Sequence, residues 1–251
     1  MIKKERKGTI NLEKFLSSLH NKGGLIEYLS GYKNFSKDKA EFNCKKHGVY
    51  KSIPRIVLIR DGHGCPDCTE LCRRKPVCGV GINDVLGYEI LDYYLWYNII
   101  RRSSVTEGCY KDVTFHKDWI LFSNFLKDLP EIDNFKMKKI AGWQLDKDLL
   151  SGKDKIYSKE TVCFLPDEIN SCLATGKGGK VGVAFDYEIG KYFALVTLNG
   201  KRRRFGSFET QSEAHDKYKE VKLIEIKRLA EKYKGDITEK CYNALLNWEH
   251  Y

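Results

Sequence analysis

The chain has 251 residues, 42% of them hydrophobic and 31% charged, which argues for a folded protein and against a disordered one. Lysine and arginine number 44 against 34 aspartate and glutamate residues, so the formal net charge is +10 and a polyanionic partner such as nucleic acid is expected. No apolar stretch reaches the roughly 18 residues of a membrane span, and no apolar signal core follows the polar N-terminus, so we expect a cytoplasmic protein without a membrane partner.

Two segments that disfavour regular structure divide the sequence. Residues 73–83 combine basic residues with a proline and two glycines, and residues 174–180 contain three glycines and two lysines. Helical and strand patterns alternate around these segments, which predicts an α+β fold class. The expected parts are a cysteine-rich module at 1–72, a middle domain at 84–173, a sheet domain at 181–234 and a tail at 235–251.

The first module contains two pairs of metal-ligating residues at the same spacing. Cys44 and His47 are separated by two residues, and after seventeen intervening residues Cys65 and Cys68 repeat that spacing. Such pairs let both side chains of one turn reach a single ion at about 2.0–2.3 Å. Four protein ligands leave no open coordination position, so we predict a structural Zn²⁺ site whose metal contributes folding energy.

Two other residues, His63 and Cys72, remain alternatives for one of these ligands. The module has further features: a predicted helix over 12–20, the tyrosines 28 and 32, and a glycine beside each ligand pair. With these features, the stretch 15–68 resembles a small zinc module of phage proteins. In those proteins the module accompanies nuclease-like domains.

The middle domain opens with two aromatic stretches. Residues 93–102 predict a helix with a basic end. Residues 115–126 predict a second helix, because Trp119, Phe122 and Leu126 recur at helical spacing. A strand at 143–148, a loop at 157–158, a strand at 162–166 and a short helix entered through Pro166 and Asp167 are expected to follow.

This order of two strands and a helix, with its aromatic-rich preface, resembles the ββα-metal unit of phage HNH homing endonucleases over roughly residues 93–173. In that family the unit holds one divalent cation and a histidine activates water. The resemblance implies Mg²⁺ or Mn²⁺ ligands at Asp146 and Asn170 and places Lys147 where the catalytic histidine stands. Because lysine is protonated near neutral pH, it is a poor general base and favours a phosphate contact. His116 is an alternative base outside the motif.

The C-terminal domain predicts three strands and one helix. Strands are expected over 181–185, 192–198 and 201–208, with the hairpin turn Asn199-Gly200 between the last two. Thr210 and Glu213 form a capping box that starts a helix ending near Tyr233. An apolar stripe on that helix should cover one face of the sheet; its members are Ala214, Tyr218, Val221 and Ile224.

The face of this sheet that the helix leaves uncovered is called the open face. Alternation along the strands places Phe193, Leu195 and Thr197 on it, and Arg202 and Arg204 project to the same side if Phe205 faces the helix. An arginine-bearing three-stranded sheet fits a DNA major groove. The residues expected to bind DNA are Lys180, Lys191, Thr197, Lys201, Arg202 and Arg204.

Short motifs throughout the domain carry a second resemblance. They are Gly182-Val183, Lys191-Tyr192-x-Ala194-x-Val196, Asn199-Gly200-Lys201, Phe205-Gly206-x-Phe208-x-Thr210 and Glu213-Ala214. These motifs resemble the AP2 DNA-binding domain, a three-stranded antiparallel sheet on one helix that reads the major groove. Tyr192 and Phe205 depart from its commoner tryptophan and leucine and keep the packing role.

The two resemblances together imply a sequence-specific, double-stranded DNA-binding protein of the phage homing-endonuclease type, in the cytoplasm of an infected bacterium. If Asp146 and Asn170 hold a cation, metal-dependent nicking of one strand is expected, because one ββα unit carries one site. The alternative is a non-catalytic transcription regulator or competitor-interference protein. An RNA-binding or protein-interaction module is a third class.

Overall fold

The computed structural model describes residues 10–21, 24–60, 64–174, 182–198 and 200–248. The chain divides into two compact units, Met1–Tyr88 and Glu89–Tyr251. Helices and small, mostly antiparallel sheets occur in both, so the α+β class is confirmed. Among the described residues, no helix combines the length and the apolar character that crossing a membrane requires.

The first unit is built around a three-stranded antiparallel sheet in the order β1–β2–β3. Its elements are α1 (Leu12–His20), β1 (Ile26–Ser30), β2 (Ala40–Cys44), β3 (Gly48–Ser52), α2 (Pro54–Ile59) and α3 (Pro66–Arg73). The predicted helix over 12–20 is confirmed; it begins at Asn11, whose side chain accepts a hydrogen bond from the Lys14 amide. Phe15 on α1 is fully buried among aromatic rings, including those of Tyr28 and Tyr32.

The second unit begins with a helix and several short elements. They are α4 (Ile90–Ser103), β4 (Thr114–Phe115), α5 (Phe122–Asp128), β5 (Trp143–Asp146), α6 (Asp148–Ser151), β6 (Ile156–Tyr157), β7 (Cys163–Pro166) and α7 (Asp167–Leu173). The helix predicted at 93–102 is confirmed as α4, with Arg101 and Arg102 in its last turn. β5 pairs antiparallel with β7 and α7 follows directly, so the predicted order of strand, strand and helix is present.

The single helix predicted over 115–126 is wrong. The segment divides into β4, a 3₁₀ turn over Lys117–Ile120 and α5. β4 pairs in parallel with β6, and the backbone N–H of His116 donates to the Tyr157 carbonyl at 2.7 Å. This pairing with a strand 42 residues further along the chain overrides the helical pattern, while Trp119 and Phe122 are still buried.

The C-terminal part of the second unit contains β8 (Val183–Asp186), β9 (Lys191–Leu198), β10 (Lys201–Phe208), α8 (Gln211–Tyr233) and α9 (Glu239–Leu246). The strands form an antiparallel sheet in the order β10–β9–β8. Both hydrogen bonds of the predicted capping box between Thr210 and Glu213 are present. The predicted stripe on α8 needs one correction, because Ile224 is 61% exposed. With 3.6 residues per turn the buried stripe passes from Val221 to Glu225 instead.

The tail, whose role the sequence leaves open, belongs to the core of the second unit. One buried apolar cluster joins residues of β7 and α7 with the second half of α8 and with the tail. Its members are Leu149, Cys163, Leu165, Ile169, Leu173, Ile226, Leu229, Ala230, Ile237, Cys241 and Leu245. Asn134 also connects β7 with the tail. Its side chain donates to the Phe164 carbonyl at 2.8 Å and accepts from the Thr238 amide at 2.7 Å.

Candidate metal centre and candidate nucleic-acid interface

The four predicted metal ligands are brought together by two local turns of the first unit. Cys44 ends β2, and His47 lies in the tight turn that leads into β3. Cys65 caps the N-terminus of α3, and Cys68 lies in its first turn. Gly64 comes just before this second pair at a φ of +68°, where a Cβ atom would lie 2.8 Å from Ser52 Oγ.

The geometry of the four side chains fits one zinc-sized ion. His47 Nδ1 lies 3.7 Å, 3.5 Å and 3.2 Å from the sulfurs of Cys44, Cys65 and Cys68, respectively. The sulfurs of Cys44 and Cys68 are 3.8 Å apart, and all four ligand atoms lie within 4.8 Å of one another. A tetrahedron of ligands at about 2.3 Å from a central ion has edges of about 3.8 Å. The cluster can therefore hold a metal such as zinc, and the exposed Cys72 is not part of it. His63 lies outside the described residues.

Burial sets the protonation of these thiols in the absence of an ion. It raises the pKa of Cys65, and it raises the pKa of Cys68 to about 12. Burial also opposes ionisation of Cys44, but hydrogen bonds from the Lys46 and His47 amides outweigh it and lower the pKa of that thiol. Because the three sulfurs are crowded, a cation between them is the partner that allows all to be thiolates.

The second candidate site is the open face of the β8–β10 sheet. Ala194 and Val196 of β9 pack on Tyr218 and Val221 of α8, and Phe205 lies against the same cluster, as predicted. Strand register therefore places the neighbouring residues of β9 and β10 on the other face of the sheet from Ala194 and Val196. These open-face residues are Lys191, Phe193, Leu195, Thr197, Arg202 and Arg204. Near the end of β9, Leu195, Thr197 and Arg202 also line a cleft that includes residues of α8.

The predicted DNA contacts differ in their surroundings. Arg202 and Arg204 are exposed, and Thr197 is exposed opposite Arg202. Lys191 also lies on the open face but pairs with Glu209 at 2.8 Å. Lys201 is in register with Leu198, on the side of α8. Lys180 lies outside the described residues.

Arg204 is held in place by two residues that were not among the predicted DNA contacts, Phe193 and Asp186. Its guanidinium carbon lies 4.0 Å from the centroid of the Phe193 ring, and its Nη1 donates to Asp186 Oδ2 at 3.2 Å. Asp186 is on β8 and Arg204 on β10, with β9 between them. The contact between Asp186 and Arg204 therefore depends on the strand order, whereas alternation along β9 was enough to predict that Phe193 lies on the open face. By contrast, Arg202 has no ion-pair partner among the described side chains.

The residues assigned to a catalytic centre have other contacts. The buried Asp146 carboxylate accepts a hydrogen bond from the Leu149 amide at 2.8 Å, at the start of α6. Lys147 is buried, forms an ion pair with Asp148 and lies 5.9 Å from the Tyr157 ring centroid. Asn170 donates to Gln144 Oε1 at 3.0 Å. In the described part of the chain, the only gathering of three or more Cys, His, Asp or Glu ligand atoms is the Cys44 cluster.

A pH-dependent effect follows from the burial of Asp146, which raises its pKa from 3.8 to about 6. The folded protein then binds this proton more tightly than the unfolded chain, so stability falls as pH rises from about 4 to about 6. Asp146→Asn removes this loss and keeps an acceptor for the Leu149 amide. The stability of the variant relative to wild type should rise by roughly 3 kcal/mol between pH 3.5 and pH 7.

Tryptophan fluorescence during urea unfolding measures this effect, because all four tryptophans (Trp96, Trp119, Trp143 and Trp248) belong to the second unit. Asp236→Asn, which changes an exposed carboxylate, is the control. If the free energies of unfolding of the Asp146→Asn variant and of wild type changed equally with pH, burial would not raise the pKa of Asp146.

Comparison with known proteins gives no further guide: no protein-family model, no curated protein and no solved structure matches this chain.

Proposed function

We propose that the protein binds double-stranded DNA through the open face and that zinc at the Cys44 cluster maintains its N-terminal unit. The observation that carries the proposal is the pair of exposed arginines, Arg202 and Arg204, on the face of the antiparallel sheet opposite Ala194 and Val196. The net charge of +10 supports an anionic partner. The resemblances to the AP2 domain and to phage homing endonucleases agree with a sequence-specific contact in the major groove.

The two arginines have different roles in this proposal. Arg204 is fixed by Phe193 and Asp186, so it loses little side-chain freedom on binding and suits a bidentate contact with a guanine edge. Arg202 is free of ion pairs among the described residues and suits a phosphate. Replacement of Arg204 should therefore alter base preference, whereas replacement of Arg202 should weaken binding to all duplexes.

Selection from a random duplex library, followed by fluorescence anisotropy at several salt concentrations, tests this proposal. Arg204→Ala is expected to weaken binding to the selected duplex about 10-fold or more and to relax preference at one position. Arg202→Ala should reduce the slope of log affinity against log salt by about one. The matched control is Arg203→Ala, since Arg203 is exposed on the same strand but in register with Val196, on the side of α8.

Equal losses for Arg203→Ala and Arg204→Ala would contradict the assignment of the open face. Structured RNA that competes as well as the selected duplex would overturn the preference for DNA.

Strand cleavage is not part of the proposal, because the Asp146 carboxylate is engaged at the start of α6 and Lys147 with Asp148. A supercoiled plasmid that carries the selected site, incubated with Mn²⁺ or with EDTA, should be bound and stay intact. Relaxation that requires Mn²⁺ and is lost in Asp146→Asn would instead support the nuclease alternative.

A further inference from the structure

A surface cleft of about 340 Å³ lies where the end of α7, the second half of β9 and α8 meet. Two basic side chains, Arg202 and Lys222, line it together with the hydroxyl groups of Ser171, Thr197 and Tyr218. No carboxylate lines it among the described residues. The cleft is therefore basic and rich in hydrogen-bond donors.

Lys222 is the unusual member of this lining, because it is only 3% exposed. Its Nζ donates to the Tyr218 hydroxyl at 3.0 Å and to the Ala174 carbonyl at 3.1 Å. Among the described residues, no carboxylate forms an ion pair with Lys222, and the rings of Trp248 and Tyr218 lie 5.3 Å and 5.4 Å from its Nζ. Burial accordingly lowers the pKa of this ammonium group. A buried cation without a counter-charge is costly, and an anion in the adjoining cleft would relieve that cost.

Arg202 supplies the second positive charge from the sheet side of the cleft. It is exposed and has no ion-pair partner among the described side chains. The Arg202 guanidinium, the Lys222 ammonium and the hydroxyl groups in the same lining can together donate hydrogen bonds to a tetrahedral oxyanion. Carboxylates would repel such an anion, and none is in the described lining of the cleft. In the adjoining cavity, which shares Ser171, Cys172 and Thr197 with the cleft, the Glu225 and Glu168 carboxylates pair with Arg228 and Lys232, and Asp167 is the third acidic residue.

We propose that this cleft is a phosphate-binding site in which Lys222 and Arg202 hold the oxyanion. The phosphate can come from the backbone of DNA bound at the open face, in which case the inference rests on the proposed function. It can also come from a free phosphate compound, in which case the inference is independent of DNA binding.

Isothermal titration of the full-length, zinc-loaded protein with inorganic phosphate, at constant ionic strength in chloride, tests the site. Wild type should bind phosphate, and Arg202→Ala and Lys222→Met should each weaken it by at least 10-fold. Two surface variants serve as matched controls and should bind as wild type: Arg203→Ala on β10 and Lys227→Met on α8, both exposed. If Lys222→Met does not fold, Ser171→Ala takes its place beside Arg202→Ala, with a smaller expected loss.

Anisotropy with the selected duplex distinguishes the two sources. If added phosphate competes with DNA more than chloride of equal ionic strength does, the cleft holds a backbone phosphate. If phosphate and DNA bind independently, the ligand is a free phosphate compound. Arg204→Ala separates the two proposals, because it should weaken DNA binding and leave phosphate binding unchanged. No phosphate binding by wild type, or equal losses in Arg202→Ala and Arg203→Ala, would overturn the site.

Discussion

Cys65→Ser is expected to release the metal and unfold the first unit while the second unit stays folded. Cys65 is buried, and Cys44, Cys65 and Cys68 are themselves members of the apolar core of that unit. A core this small is marginal alone, and a structural zinc contributes an apparent binding free energy of about 10–16 kcal/mol. The loss of one thiolate removes a large part of that contribution, because water, a weaker ligand, must then take the fourth position.

Metal analysis and segment-resolved hydrogen exchange measure these two effects on the full-length chain. Wild type should hold one zinc ion, and Cys65→Ser should hold none and lose protection across β1 to α3. Tryptophan fluorescence should be unchanged, since the first unit contains no tryptophan. Cys72→Ser is the control, because Cys72 is an exposed cysteine of α3 outside the cluster. A metal-replete wild type that contains no zinc would refute the site.

Gly182→Ala should destabilise the second unit by about 3 kcal/mol, the largest effect we expect from adding a single methyl group. Gly182 has a φ of +77°, which disfavours any residue with a Cβ atom. An added Cβ would also lie 2.0 to 2.3 Å from atoms of the Tyr218 ring, which is buried against β9. The ring or the strand must then move, and the Leu195 amide, which donates to the Gly182 carbonyl at 2.7 Å, would be disturbed.

Gly190→Ala provides the matched comparison. Gly190 also has a positive φ, of +65°, but no heavy atom lies within 4 Å of its ideal Cβ position. Urea unfolding followed by tryptophan fluorescence should give a loss of about 1 kcal/mol for Gly190→Ala, the backbone term alone. If the two variants lose the same stability, the contact between Gly182 and Tyr218 contributes nothing.

The features that the sequence predicted correctly depend on neighbours within a few residues. The capping box of Thr210 and Glu213 is complete within four residues, and each zinc-ligand pair is complete within four. Alternation along β9 is similarly local, and it placed Ala194 and Val196 against α8. Such features require no knowledge of how distant segments meet.

The features that could not be predicted depend on distant segments. The 115–126 helix is interrupted because β4 pairs with β6, and the contact between Asp186 and Arg204 requires the order of three strands. The sequence gives no sign that the Asp146 carboxylate is buried at the start of α6, since an Asp before a short helix and an Asp that binds a metal look alike. Side-chain environment, rather than residue type, separates these two roles.

The apolar cluster shared by β7, α7, α8 and the tail limits where this protein can be cut into fragments that still fold. A fragment cut at the glycine-rich segment 174–180 would carry the sheet away with Ile226 and Leu229 uncovered, and would leave Leu165 and Ile169 uncovered on the other piece. Both fragments would then expose apolar surface that favours aggregation. Recombination that exchanges the β8–β10 sheet between proteins would therefore require transfer of the surfaces that pack against α8 as well. The second unit, Glu89–Tyr251, contains every member of this cluster.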